Sequence, residues 1–161
     1  MSQTQIEETI VRPNIFTHAT SELSQDAFFT WLIQWADDKY RQFDESLHIV
    51  AKNFLSLLIG EKDSSFIHNV SVGRQWDNID IWVEVNEDIA IAIEDKVYTN
   101  VHDNQLIRYK ETVEDWYKGK RDKLFFSYVK TGNESKATLS DVGEKGYRRM
   151  NTLSVSVPME R

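Results

Sequence analysis

The chain contains no cysteine and only 2 prolines and 6 glycines among its 161 residues. The absence of cysteine excludes disulfide bonds, cysteine-containing zinc sites and cysteine nucleophiles. Because proline and glycine are scarce, no flexible linker is evident. No stretch reaches the roughly 18 uncharged apolar residues of a membrane span, and the N-terminus lacks the apolar core of a signal peptide. We therefore expect a soluble cytoplasmic protein that does not contact a membrane.

Enough apolar residues are present to build a core. Hydrophobic residues make up 40% of the chain and aromatic residues 12%, which excludes wholesale disorder. The length fits one domain. We assign residues 1–13, which are polar and end at Pro13, to an N-terminal arm, and residues 14–161 to a single domain.

The acidic charge is unevenly distributed along the chain. The formal net charge is −7, whereas a nucleic-acid-binding protein usually carries a basic footprint. Residues 1–95 contain 6 basic and 17 acidic side chains, a balance of −11, and residues 96–161 contain 13 basic and 9 acidic ones, a balance of +4. The second part of the chain can therefore face phosphates although the whole chain is acidic.

Two helices are predicted in the first part of the chain. Apolar residues at helical spacing predict a helix from about Ser24, as N-cap, to Phe43. A second helix is predicted over residues 45–59, with Val50 in its buried stripe and Gly60 as its C-cap. Three tryptophans on helical apolar faces are expected in the core: Trp31, Trp35 and Trp116.

The hydrophobic pattern then changes to strict alternation. Residues 66–72 form a candidate strand, and residues 79–85 alternate apolar and polar side chains. Residues 86–88 have the composition of a tight turn, and residues 89–97 are a further strand. The last two strands are predicted to pair as a β-hairpin.

The remainder of the chain is predicted to contain one helix and one or two strands. A helix fits residues 103–118, a short strand fits residues 123–129, and residues 131–146 are predicted to be a loop. Residues 153–157 are a candidate edge strand. The resulting order predicts a domain of the α/β or α+β class, in which helices flank a sheet.

Two acidic residues and a lysine of the hairpin form a candidate site. Asp80 lies within the first strand, and Glu94 and Lys96 lie two residues apart at the end of the second, so these two share a face. Pairing across the turn can bring Asp80 close to Glu94. Two carboxylates at short distance repel each other unless a cation lies between them. Oxygen ligands without cysteine or paired histidine favour Mg²⁺ or Mn²⁺.

Ordinary surface strands also carry an aspartate followed by a Glu-x-Lys triplet, and a bare match of this kind is weak. Two features favour a site here. Aspartate is depleted in strands, yet Asp80 lies inside a clear one. The charges at Glu94 and Lys96 directly follow an Ile-Ala-Ile-Ala-Ile run, which is typical of a buried strand.

The motifs resemble those of the PD-(D/E)XK nuclease superfamily. Asp80 with Glu94-Asp95-Lys96 is similar to its signature, with Ile79 in place of the proline. Residues 105–109 resemble the QxxxY motif of RecB-like and Cas4-like members. The predicted order is similar to the αβββαβ core of the restriction-endonuclease-like fold. The resemblance covers about residues 14–130, and it is strongest to bacterial members that combine ELS…WL, RxWxNIDI and IExK segments.

This resemblance implies a set of site residues. Asp80 and Glu94 would hold Mg²⁺, for which Mn²⁺ could substitute, with the backbone carbonyl of Asp95 as a third ligand. Glu22 lies where members often place a glutamate and would be a further ligand. Lys96 would orient the attacking water or stabilise charge on the phosphate.

The resemblance also implies a function and its partners. The chain would be a Mg²⁺-dependent nuclease that hydrolyses phosphodiester bonds, with DNA as the favoured nucleic acid. Gln105 and Tyr109 would position the nucleic-acid backbone or the lysine, and Arg108 would contact nucleic acid. The alternative is an inactive nucleic-acid-binding or protein-interaction module on the same fold, in a defence or mobile-element system. A homodimer and a partner protein are both compatible with the sequence.

Overall fold

The computed structural model of the chain describes residues 10–14, 25–96, 104–130 and 136–151, and for Lys96 and Asn151 the backbone alone. The helices in these ranges are α1 (Gln25–Gln34), a 3₁₀ helix (Asp38–Tyr40), α2 (Glu45–Ile59), α3 (Gln105–Tyr117) and α4 (Lys136–Glu144). The strands are β1 (Val70–Trp76), β2 (Ile79–Val85), β3 (Ile89–Lys96), β4 (Lys123–Lys130) and β5 (Arg148–Asn151). Within the described ranges no helix is long and apolar enough to cross a membrane.

The five strands form one mixed sheet in the order β1-β2-β3-β4-β5. Neighbouring strands from β1 to β3 are antiparallel, whereas β3, β4 and β5 run parallel. A parallel pair needs a crossover connection, and α3 lies between β3 and β4 in the chain. The predicted α/β class, in which helices flank a sheet, is confirmed.

Alternation along the central strand β3 produces two buried faces. Its isoleucines pack in one cluster with side chains of α1 and α2, and we call this side the α1/α2 face. Its alanines pack in a second cluster with side chains of α3 and α4, which we call the α3/α4 face. The isoleucines are Ile89, Ile91 and Ile93, and the alanines are Ala90 and Ala92. Because β3 is covered on both faces, its apolar run is nearly continuous.

The first helix is shorter than predicted, since it ends at Gln34 rather than near Phe43. Asp37 has extended backbone angles (φ −68°, ψ 131°) and its side chain accepts the backbone N–H of Lys39. The same carboxylate accepts the N–H of Val70 at 2.9 Å. These contacts turn the chain away from the helical path. The proposed N-cap, Ser24, lies outside the described residues.

The second helix has the predicted bounds. Asp44 caps its N-terminus by accepting the N–H of Leu47, and Gly60 caps its C-terminus with a left-handed φ of 90°. The prediction for Val50 was wrong, because this residue is 54% exposed on the side of α2 that faces away from the sheet. Trp35 is buried as predicted.

The prediction that Trp116 belongs to the core was also wrong. It lies in the last turn of α3 and is 51% exposed. Its ring contacts that of Trp76 with a centroid separation of 5.4 Å. The ammonium of Lys120 lies 3.9 Å from its ring centroid. The next residue, Tyr117, is buried, so Trp116 lies beside the buried side of α3 and not on it.

The strand predicted from residue 66 begins only at Val70. The Asn86 side chain holds the preceding segment, since its amide nitrogen donates to the Phe66 carbonyl at 2.8 Å. Its carbonyl oxygen accepts the N–H groups of His68 and Asn69. These bonds to a side chain that is distant in the sequence replace the strand pairing expected there.

The segment expected to be a loop over residues 131–146 contains the helix α4 instead. The sequence there is polar, but Val142 is buried and Leu139 packs beside it in the cluster of the α3/α4 face. Because they are spaced by three positions, these two residues lie on one face of the helix, which packs on the sheet. The candidate strand at residues 153–157 lies outside the described residues, and the described last strand is β5.

We expect Asn86→Ala to lower the free energy of unfolding by about 2–3 kcal/mol, because it removes three hydrogen bonds and places alanine at a φ of 51°. Urea denaturation followed by circular dichroism measures this change. Asn86→Gly removes the same bonds without the steric cost of positive φ, so its loss should be smaller by about 1 kcal/mol. Equal losses in both variants would contradict this account.

Candidate active site

Asp80 and Glu94 lie on neighbouring strands at the same end of the hairpin. The register pairs Ile81 with Ile93, so the next antiparallel position places Asp80 opposite Glu94. Oδ2 of Asp80 accepts the backbone N–H of Asp95 at 2.8 Å. The structure therefore brings the Asp80 carboxylate to the end of β3, beside Glu94.

Glu94 continues the alanine row of β3 and lies on the α3/α4 face. Its side chain is buried, with the residue only 2% exposed. In the parallel pairing with β4 it lies beside Tyr128, which is also buried. An ionised carboxylate in such a place is costly unless hydrogen-bond donors or a cation compensate it. The sequence pattern indicated the position of Glu94 but not this depth of burial.

The side chain of Asp95 lies on the opposite side of β3 from Glu94. Its carboxylate accepts a hydrogen bond from the side-chain amide of Gln25, the first residue of α1. The backbone N–H of Asp95 donates to the Asp80 carboxylate. Asp95 therefore connects β2, β3 and α1 at one point.

Two lysines end neighbouring strands at the site. Lys96 is the last residue of β3, and the register pairs it with Lys130, the last residue of β4. Alternation from Tyr128 places Lys130 on the α3/α4 face, and it is only 2% exposed. Sequence reasoning missed Lys130 because the predicted strand ended at Val129. The sequence signal that could have identified Lys130 is a lysine directly after an apolar strand, the same pattern that Lys96 shows.

The proposed nucleic-acid contacts lie on the first two turns of α3. The side-chain amide of Gln105 donates to the hydroxyl of Tyr109, and both residues are half-buried. Oε1 of Gln105 is buried and accepts no hydrogen bond within the described part of the chain. Arg108 is exposed on the same helix. A buried acceptor of this kind requires a donor from a group outside these contacts.

Tyr147 joins the start of α3 to the buried end of the site. It is 4% exposed, and its hydroxyl donates to the Leu106 carbonyl at 2.9 Å. Burial raises the pKa of Tyr147 above its usual value, and the charge of Glu94 raises it further. The hydrogen bond from the Tyr147 hydroxyl to the Leu106 carbonyl fixes the helix turn that carries Gln105.

The chemistry of these donors fits a hard divalent cation. Asp80 and Glu94 contribute carboxylate oxygens and the Asp95 backbone a carbonyl oxygen, which is the donor type that Mg²⁺ and Mn²⁺ prefer. Over residues 10–14, 25–96, 104–130 and 136–151, no group of three or more acidic or histidine side chains could hold a metal. Glu22 and the Lys96 side chain lie outside the described residues.

The chain was compared with known protein families, curated proteins and solved structures. A family model for the PD-(D/E)XK nuclease superfamily matches residues 13–153. The matched range contains the hairpin, α3 and all of β4. No curated protein and no solved structure gave a match.

We expect Tyr147→Phe to lower the free energy of unfolding by about 1 kcal/mol, because a buried hydrogen bond to the Leu106 carbonyl is lost. Amide hydrogen exchange should accelerate in the first turn of α3 and remain unchanged in α1. Tyr40→Phe is the matched control, since it removes a longer contact of 3.3 Å with Gln34 elsewhere. Unchanged exchange in α3 would show that Tyr147 does not fix this turn.

Proposed function

The chain belongs to the PD-(D/E)XK nuclease superfamily, and on this basis we propose that it is a Mg²⁺-dependent nuclease that hydrolyses phosphodiester bonds of DNA. Membership of the superfamily suggests a nuclease, and its members generally use divalent metals. The observation that carries the proposal is the hydrogen bond from the Asp95 N–H to Asp80. It places one carboxylate beside the buried Glu94 on the next strand.

In this proposal the metal is held by Asp80, Glu94 and the Asp95 carbonyl, with Glu22 as a further ligand. When bound, Mg²⁺ supplies Lewis acidity toward the phosphate and lowers the pKa of its coordinated water. Asp80 is oriented for this role by the Asp95 N–H. Glu94 is oriented by its place in a buried strand.

Lys96 supplies positive charge for the phosphate that is attacked. An ammonium placed where negative charge develops stabilises the transition state. The buried Oε1 of Gln105 is an acceptor and cannot hydrogen-bond to phosphate oxygens, which are acceptors too. We therefore assign Gln105 to the Lys96 ammonium, with Tyr109 holding the amide in place. Lys130 adds a second positive charge on the same face.

Nucleic acid is proposed to approach from the side of α3. Arg108 is exposed there, and the second part of the chain, from residue 96 onward, has a balance of +4. Phosphate contacts by basic side chains supply most of the sequence-independent affinity. A cut through both strands of a duplex would require a second copy or a partner protein, since one site cuts one strand. We place this activity in the cytoplasm.

We expect the protein to cleave DNA with Mg²⁺ or Mn²⁺ and to lose this activity in excess EDTA. Asp80→Ala and Lys96→Ala should each lower the rate at least about 100-fold, because each removes electrostatic stabilisation of the transition state. Gel assays with labelled single- and double-stranded DNA and RNA measure cleavage. The matched controls are Asp88→Ala and Lys123→Ala, an ion pair of 3.3 Å at the opposite end of the sheet, and these should retain activity.

Inactivity of the wild type on all four substrates would contradict the proposal, as would full activity of Asp80→Ala. Binding of nucleic acid without cleavage would instead indicate a non-catalytic module on the same fold. Preferential cleavage of RNA would correct the assigned substrate.

DNA binding should weaken at least about 10-fold when NaCl rises from about 50 to about 200 mM, because each phosphate contact displaces counterions. Fluorescence anisotropy with the Asp80→Ala variant measures this without cleavage. Arg108→Ala should reduce the slope of log affinity against log salt by about 1, because one phosphate contact is lost. Salt-independent binding would contradict the proposed phosphate-facing surface.

A further inference from the structure

The middle residue of the Glu94-Asp95-Lys96 triplet has two contacts that leave β3 in different directions. Its backbone N–H is donated to Asp80 on β2 at 2.8 Å. Its carboxylate accepts from the side-chain amide of Gln25 at the start of α1. Both side chains of the latter pair are half-buried, so this hydrogen bond is partly protected from water.

We infer that Asp95 and Gln25 are positioning residues that hold the first turn of α1 against the metal-binding end of β3. This inference rests on the proposed nuclease function. The Asp95 backbone donates its N–H to Asp80 and is assigned to the metal through its carbonyl. A fixed Asp95 side chain therefore restricts the orientation of both of these groups.

Other contacts of the same helix turn are made to a different strand. Asp26 lies 3.5 Å from the guanidinium of Arg74 and accepts from Gln75 at 3.5 Å, both on β1. The buried Ala27 and Ile33 dock the helix itself. These contacts should keep α1 on the sheet when the Gln25–Asp95 bond is removed, so variants of the pair do not undock the helix.

Exchanging the hydrogen-bond donor and acceptor between residues 25 and 95 tests this contact without changing the packing of the two side chains. Gln25→Glu places a carboxylate against the Asp95 carboxylate, and the two acceptors repel each other. Adding Asp95→Asn supplies an amide donor to the new carboxylate, which restores the bond with donor and acceptor exchanged. The double variant keeps the size of both side chains.

The experiment measures Mn²⁺ affinity by isothermal titration calorimetry, without nucleic acid. We expect Gln25→Ala, Asp95→Ala and Gln25→Glu to weaken binding about 10-fold or more, as loss of groups that orient metal ligands commonly does. The double variant should return to within about threefold of wild type. In cleavage assays, kcat should fall in the single variants while KM for DNA stays unchanged.

Gln34→Ala is the matched control, because Gln34 lies at the other end of α1 and its amide also donates to a side chain, Tyr40 at 3.3 Å. It should bind Mn²⁺ as the wild type does. Wild-type affinity in both alanine variants, or a double variant no better than Gln25→Glu, would overturn the inference. A wild-type protein that binds no Mn²⁺ would overturn the proposed function itself, which distinguishes the two failures.

Discussion

The antiparallel pairing of β2 with β3 is the constraint on which the site depends. Val85 pairs with Ile89 across a three-residue turn, and this register runs unchanged to Ile81 and Ile93. A slip of one residue would move every side chain of a strand to the other face. Asn86 stabilises the turn with a left-handed φ of 51° and with hydrogen bonds between its side chain and the backbone of residues 66–69. The position of Asp80 opposite Glu94 follows from that register.

The second constraint is the different size of side chains on the two faces of β3. Isoleucines fill the space toward α1 and α2, whereas alanines allow the elements of the α3/α4 face to approach closely. Glu94 continues the alanine row and is therefore buried near Tyr128 and Tyr147. Such burial makes the carboxylate sensitive to nearby charge, because the surroundings screen it poorly. The packing that forms the core therefore also buries an acidic side chain at the end of β3.

Much of the architecture could be predicted from the chain because its elements have strong periodicity. The bounds of α2 and β2 were predicted without error, and Gly60 ends α2 as its type suggests. Errors arose where a distant side chain decides the local conformation. Asp37 ends the first helical segment through Val70, and Asn86 delays the start of β1. The helix α4 was missed because its few apolar residues gain stability only against the sheet.

The residue types of the candidate site were evident in the sequence, since an aspartate inside a strand and a Glu-x-Lys end are local patterns. The sequence by itself thus determined the hairpin, the hydrophobic faces and the acidic residues at its end. Only the tertiary structure decided which groups meet there: the buried Lys130 beside Lys96, the Tyr147 contact with α3, and the Gln25–Asp95 bond. These contacts join residues 34, 41 and 70 positions apart in different elements. Periodicity carries no information about such pairs, because it reports only the local path of the backbone.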